Sequence, residues 1–341
     1  MLRVGVIGYG YWGPNLARNF SIHPNFKLVC IAELDADRRA AARQSFPGVD
    51  ITPDAGLLCS DPDIDVVVVA TPVLMHHELA RQALLNGKHV WVEKPMTSTS
   101  DQAKELIDLA ENRDLVLMVD HTFLFTGAVQ TMKSLIDRGE LGSLYYYDSI
   151  RINLGIFQHD INVIWDLAPH DLSIMDYLLG PTARAVCATG RGHYDTGLED
   201  VAYVSVMYDN NLIAHFHLNW LSPVKMRRTL VGGSKKMLVW DDLNQEEVLK
   251  VYNKGMDVRT REGMYRVLAT PRFGEMHAPV VPNIEALKTE VNYFNQCILN
   301  GERPHNDGHA GLRVVKMLEA TDRSLARDGR VIELEEAWVA K

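Results

Sequence analysis

The sequence predicts an α/β protein in two parts. Residues 1–121 form an N-terminal Rossmann domain built on a doubly wound parallel sheet. Residues 122–341 form an α+β domain with an open, largely antiparallel sheet. Three observations carry this reading. A short apolar run, Leu2–Ile7, breaks into Gly8-Tyr9-Gly10-Tyr11-Trp12-Gly13 and then a helix-like segment, the order in which a strand, a glycine-rich turn and a helix cradle a dinucleotide. Strands and helices then alternate as far as residue 121, the pattern of parallel strands joined by crossover helices. Beyond His121 the alternation gives way to successive strand-like runs with short turns, which indicates antiparallel pairing.

Taken in order, the glycines permit a tight turn and let backbone approach a pyrophosphate at a helix N-terminus. Pro14 suits the first helical turn, where its missing N–H costs nothing. The second strand, Phe26 to Ala32, ends in Glu33, an acidic residue at the distance where a carboxylate accepts from the adenosine ribose 2′-OH. Glu33 therefore favours NAD over NADP, whose 2′-phosphate would meet like charge. Arg38 could reach a 2′-phosphate or stack on adenine, or be a solvated residue of a first helical turn. Val66 to Ala70 is uniformly apolar, as in a strand buried on both faces. It leads to Thr71-Pro72 and His76 in a strand-end loop, with a helix from Glu78 to Asn86 closed by Gly87. Lys88 to Val92 is the next strand. Pro95 ends it, because proline cannot donate to a sheet ladder, and holds Lys94 extended at its carboxyl end. Open α/β sheets bind their ligands at that end. A helix over 101–112 and a strand over 115–119 complete the set, placing His121 in another strand-end loop.

The second part opens with a helix over 128–138 and a strand over 144–152. Strand-like runs follow at 183–188, 201–208, 212–219, 226–231 and 236–240, with a hairpin at Asp209-Asn210-Asn211. Residues 246–281 lack a period and read as irregular structure at the sheet edge. Helices over 284–299 and 309–327, which could pack back on the first domain, and a strand at 331–334 end the pattern. Between the first two strands, Asp166 and His170 stand four apart, so a helix would put carboxylate and imidazole on one face. A carboxylate beside a histidine raises its pKa and fixes its ring, the preparation for general acid/base work. Pro169 suggests that the helix is distorted or only beginning there, with a clear helix from Leu172 to Leu179. A metal held by His159, Asp160, Asp166 and His170 would need a ligand spacing that zinc or iron sites do not show. No metal is expected.

Composition bounds the function. With 47% hydrophobic and 23% charged residues the chain of 341 residues is an ordinary globular protein. A net charge of −9 and a pI near 5.8 argue against nucleic acid or an anionic membrane as partner, since phosphates are held by positive surface. The four cysteines, Cys30, Cys59, Cys187 and Cys297, have no Cys-x-x-Cys pairing and fit free thiols in a reducing compartment. No leader-like segment opens the chain and no uncharged apolar run reaches about 18 residues. A cytoplasmic location is the expectation.

Gly8-Tyr9-Gly10-Tyr11-Trp12-Gly13, Thr71-Pro72 with His76, Glu93-Lys94-Pro95 and Asp166-x-x-x-His170, in that order, resemble the Gfo/Idh/MocA family of oxidoreductases. The resemblance covers essentially the whole chain. It implies a Rossmann domain binding NAD through Gly8, Gly10, Tyr11, Trp12, Gly13, Glu33, Arg38, Thr71, Pro72, His76, Glu93 and Lys94. The second domain's open sheet would serve oligomerisation into a dimer or tetramer, with catalysis between the domains. Lys94 would act near the nicotinamide, and His170 with Asp166 would be the catalytic pair. His121, Arg151 and Asn153 are further candidates for the substrate. Trp165-Asp166-Leu167-Ala168-Pro169-His170-Asp171 and Asp307-Gly308-x-x-Gly311-Leu312-x-Val314-Val315 resemble members that act on nucleotide-linked sugars. Leu124 and Phe125 depart from the basic residue many relatives carry after this point. Two other readings stay open: a dehydrogenase of free polyols or inositols, and a non-catalytic NAD-binding sensor.

Overall fold

A computed structural model of the chain describes residues 1–155, 161–180, 182–194, 197–257 and 270–334. The chain divides into two compact units. Unit 1 is Met1–Phe125 with Glu285–Lys316, and unit 2 is Thr126–Ile284 with Met317–Lys341.

Unit 1 holds β1 (Leu2–Ile7), α1 (Gly13–Ile22), β2 (Phe26–Ala32), α2 (Ala36–Ser45), β3 (Asp50–Thr52), α3 (Ala55–Ser60), β4 (Val66–Val69), α4 (Val73–Leu85), β5 (His89–Glu93), α5 (Ser100–Glu111) and β6 (Leu117–Asp120). A 3-10 turn, Thr122–Phe125, follows. The strands form one parallel sheet in the order β3-β2-β1-β4-β5-β6, the doubly wound arrangement. β4 is buried at every residue, as its continuous valine run requires. The later helix α8 (Ala286–Asn300) also belongs to this unit. It buries Leu287, Glu290, Val291 and Phe294, one helical stripe of three- and four-residue steps. Phe20, Trp91 and Phe294 stack edge to face, with ring centroids 5.4–6.3 Å apart. These contacts tie α1, β5 and α8 into one core.

Unit 2 holds α6 (Gly127–Asp137), β7 (Leu144–Leu154), α7 (Val163–Leu179), β8 (Ala183–Arg191), β9 (Val201–Tyr208), β10 (Ile213–Asn219), β11 (Leu221–Gly233), β12 (Met237–Asp241), β13 (Leu249–Tyr252), β14 (Gly255–Asp257), β15 (Thr270–Arg272), β16 (Met276–His277) and β17 (Ile332–Glu333). Among the described residues its large sheet runs β16-β13-β12-β11-β7-β10-β9-β8-β17. Only β7 and β10 pair parallel in it. The helix α9 (Gly308–Leu325) begins in unit 1 and ends in unit 2.

Three expectations about local structure are corrected. Within 246–281, Leu249–Tyr252 is a sheet strand rather than irregular edge, because Leu249 and Val251 alternate inward against β12. His76 lies inside α4 rather than in the preceding loop. α7 runs unbroken through Pro169 from Val163. Asn162 caps it by accepting from Ile164 and Trp165 N–H, each at 3.1 Å. Ile164, Trp165, Ala168, Leu172 and Met175 are buried along it, and that burial outweighs the hydrogen bond that proline removes.

Candidate active site

The dinucleotide cradle is built by glycine. Gly8 has φ +96°, and a Cβ there would lie 2.3 Å from the Ala70 carbonyl oxygen. A Cβ on Gly13 would lie 2.2 Å from the Gly8 oxygen. Only glycine lets the loop close on itself. No side chain caps the N-terminus of α1 and no acidic residue stands in its first turn, which suits it to an anionic pyrophosphate. Glu33 follows β2, where its Oε2 accepts from Tyr9 N–H (2.6 Å) and its Oε1 from Asp35 N–H (2.9 Å). Among the described residues no other donor reaches this carboxylate, which leaves lone pairs for ribose hydroxyls. Arg38 Nη1 lies 3.5 Å from where a Gly10 Cβ would be, so the guanidinium leans over the loop. Tyr11 is 95% exposed. The chain's own residues thus fit NAD.

Two of the expected cofactor residues turn their polar atoms inward. Trp12 Nε1 donates to Asp120 Oδ2 at 2.9 Å. Buried His76 sets Nδ1 2.9 Å from Pro95 O and Nε2 2.7 Å from Thr71 O. Through these contacts the ring bridges the loops that carry Thr71-Pro72 and Lys94-Pro95. Burial pushes its pKa down, and the two carbonyls oppose this. Lys94 is half-buried at the end of β5, and its backbone N–H donates to Glu93 Oε2 at 3.1 Å.

Glu93 and Asp120 are register partners at the carboxyl ends of β5 and β6, so their side chains rise on one face of the sheet. Asp120 also accepts from the Thr122 hydroxyl. Glu290, on the buried stripe of α8, accepts from His121 N–H (3.1 Å) and Asn306 Nδ2 (3.0 Å) through Oε1. Burial, then the Asp120 charge and hydrogen bond, hold both Glu93 and Glu290 well above the usual carboxyl range. The imidazole of His121, 1% exposed, is pushed down by burial to about 4.

In unit 2, Asp166 and His170 are half-buried on α7. Asp166 Oδ2 accepts from Trp220 Nε1 at 3.1 Å. Arg151, expected near substrate, is 5% exposed and forms a bidentate pair with Asp171, Nε–Oδ2 2.6 Å and Nη2–Oδ1 3.1 Å. Its guanidinium clamps the residue next to His170. Asn153 is half-buried near the end of β7. His159 and Asp160 lie outside the described residues. Among those described, no group of histidine, cysteine and carboxylate side chains could hold a metal.

Residues 2–121 match the model of an oxidoreductase family with an NAD-binding Rossmann fold, and residues 129–239 match the GFO/IDH/MocA C-terminal domain. The chain belongs to the Gfo/Idh/MocA family. It is 30% identical over 263 residues to the oxidoreductase YdgJ of Escherichia coli (strain K12), covering 73% of this chain and 74% of YdgJ. It is 24% identical over 321 residues to the scyllo-inositol 2-dehydrogenase (NAD(+)) of Bacillus subtilis (strain 168), covering 89% of this chain and 88% of that one. In fold it resembles the UDP-N-acetylglucosamine 3-dehydrogenase GnnA of Acidithiobacillus ferrooxidans, with TM-score 0.80 and 24% identity over 96% of this chain and 98% of that one. As a Gfo/Idh/MocA member it is an oxidoreductase whose Rossmann domain binds NAD.

Sequence reasoning passed over Asp120 and Glu290. Two signals were available. Asp120 ends an apolar strand as Glu93 does, and Glu290 interrupts the apolar stripe of Leu287, Val291 and Phe294.

Proposed function

We propose that this oxidoreductase moves a hydride between NAD and a hydroxyl-bearing carbon of a sugar, and that the sugar is nucleotide-linked. One observation carries the hydride-transfer reading: Lys94 stands at the carboxyl end of a sheet whose dinucleotide loop is fully built, in a family oxidoreductase that keeps Asp166 and His170 on one unbroken helix. Bound NAD supplies the hydride acceptor. His170 takes the hydroxyl proton, and Asp166, itself fixed by Trp220, orients the ring and stabilises its cation. Lys94 gives a hydrogen bond or positive charge to the oxygen as it becomes a carbonyl. Lys94→Ala and His170→Ala should each lower kcat by about 10²–10⁴-fold, and wild-type turnover in both variants would remove the assignment.

The nucleotide link is supported by Trp165–Asp171 and by Asp307 to Val315, whose pattern resembles such members. A thermal-shift screen of NADH crossed with UDP, dTDP, their sugars, free hexoses and inositols tests it, since a ligand bound only to the folded state raises the melting temperature. Stabilisation by UDP or dTDP alone supports the reading. Stabilisation by free polyols only, as the likeness to an inositol dehydrogenase would favour, selects the alternative substrate class. A nicotinamide shift with no sugar shift selects a sensor. Tyr203, 44% exposed and stacked on His217 on the large sheet, belongs to the surface on which we expect a second copy. No described helix is long and apolar enough to cross a membrane. The free cysteines Cys30, Cys59, Cys187 and Cys297 support the cytoplasmic location we assign.

A further inference from the structure

The carboxyl groups of Glu93, Asp120 and Glu290 meet at the carboxyl end of β5 and β6, and their partners divide them into one anion and two acids. Asp120 accepts from the Trp12 indole and the Thr122 hydroxyl, one on each oxygen. Both glutamates lie within hydrogen-bond reach of it. Glu93 Oε1 and Glu290 Oε2 are buried and receive no donor from the described residues. As carboxylates, these two oxygens would stand unsatisfied beside a third negative charge. As protonated acids, each donates to Asp120, whose about four lone-pair sites are then filled by Trp12, Thr122, Glu93 and Glu290. The pocket then carries one negative charge instead of three.

Other titratable groups face this cluster. The His121 ring stands beside Asp120, and neither of its nitrogens has a partner among the described residues. Lys94, His305 and Arg313 contribute positive or ionisable neighbours from the loop after β5, the loop before α9 and α9 itself. Burial keeps His121 and His305 neutral.

Position gives the cluster a role. A doubly wound sheet binds a dinucleotide across two mononucleotide halves. Glu33, after β2, belongs to the half that takes the adenosine ribose, so the nicotinamide falls to the half made by β4, β5 and β6. The oxidised ring is a cation and the reduced ring is neutral. In a dry site, that one charge shifts the proton affinity of nearby acids.

We propose that Glu93, Asp120 and Glu290 form a proton-sharing triad that keeps two protons when NADH is bound and releases one to solvent when the cationic ring of NAD⁺ binds. The triad acts as a positioning and charge-compensating group. It ties the glycine-rich loop, through Trp12, to the Lys94 loop, through Glu93, and matches its own charge to that of the ring. The proposal rests on NAD binding and is independent of which sugar is used.

The test is isothermal titration of the full-length protein with NAD⁺ and separately with NADH, each in phosphate and in Tris at one alkaline pH. Heats that differ between buffers count protons released. Both ligands carry the same pyrophosphate and adenosine, so subtracting one from the other isolates the ring. Wild type should release up to one more proton with NAD⁺ than with NADH. Glu290→Gln keeps an isosteric donor to Asp120 and removes a titrating acid, so it should reduce that difference by half or more. Its melting temperature should match wild type near pH 5 and exceed it increasingly as pH rises. The sign follows because the folded state of wild type holds a proton that the unfolded state has lost, so wild type weakens as pH climbs. Should Glu290→Gln fail to fold, Glu93→Gln carries the same reading. Equal proton release with NAD⁺ and NADH in wild type, or an undiminished difference in the folded glutamine variant, overturns the proposal.

Discussion

Asp171 in unit 2 and Glu290 in unit 1 are both enclosed carboxyl groups, 2% and 0% exposed, yet their surroundings treat the charge in opposite ways. Asp171 faces a guanidinium in fork geometry. Burial works against the Arg151 charge, but Asp171 outweighs it and raises its pKa, so the guanidinium keeps its charge in a bidentate pair. Glu290 meets a backbone N–H, an amide and another carboxyl group, none of which can neutralise an anion, and it holds its proton instead. The difference teaches that burial alone does not decide ionisation. The partner decides it, and each solution serves a different end: the Arg151–Asp171 pair fixes the turn that carries His170, while the unit 1 cluster remains able to titrate.

The comparison can be broken most severely at the ion pair. Arg151→Met leaves Asp171 buried without its cation and should cost about 3–5 kcal/mol, read by denaturant unfolding at neutral pH. A loss below about 1 kcal/mol would mean that the pair is solvated in solution. Acid should act next on unit 1. His121 has a folded pKa of about 4 against the usual 6.5, so the unfolded state takes up a proton that the folded state refuses. Its stabilising contribution is present above pH 6.5 and is lost as pH falls toward 4, to a total of about 3 kcal/mol. His121→Gln should flatten that limb of a stability–pH curve, and an unchanged slope would place the titration elsewhere. The smallest effect is expected at Asp166, where Trp220→Phe removes one indole donor and should cost about 1 kcal/mol while disturbing kcat more than KM.

Much of the fold was legible because its signals are local. The valine run of β4, the glycines at 8, 10 and 13, and proline after Lys94 each constrain the backbone where they stand. The strand at 249–252 was missed because two inward residues give too short an alternation to register. The unbroken α7 was missed because a proline rule speaks only of the lost hydrogen bond and is blind to the burial that compensates for it. At the site, Glu33 and the Asp166–His170 pair were proposed from spacing, and Lys94 from the proline that follows it and from the family resemblance. The burial of His76 against two carbonyls and of Arg151 against Asp171 was not legible, because a polar residue near a strand end looks the same in sequence whether it faces solvent or the protein.

The sequence by itself determined the doubly wound sheet, the dinucleotide loop and the family to which the chain belongs, since these follow from residue types at fixed short separations. Only the tertiary structure decided that Glu290, 170 positions beyond Asp120, shares a pocket with it and with Glu93. Ionisation depends on which groups are brought within a few ångströms in a dry environment, and that neighbourhood is made by α8 packing on the sheet.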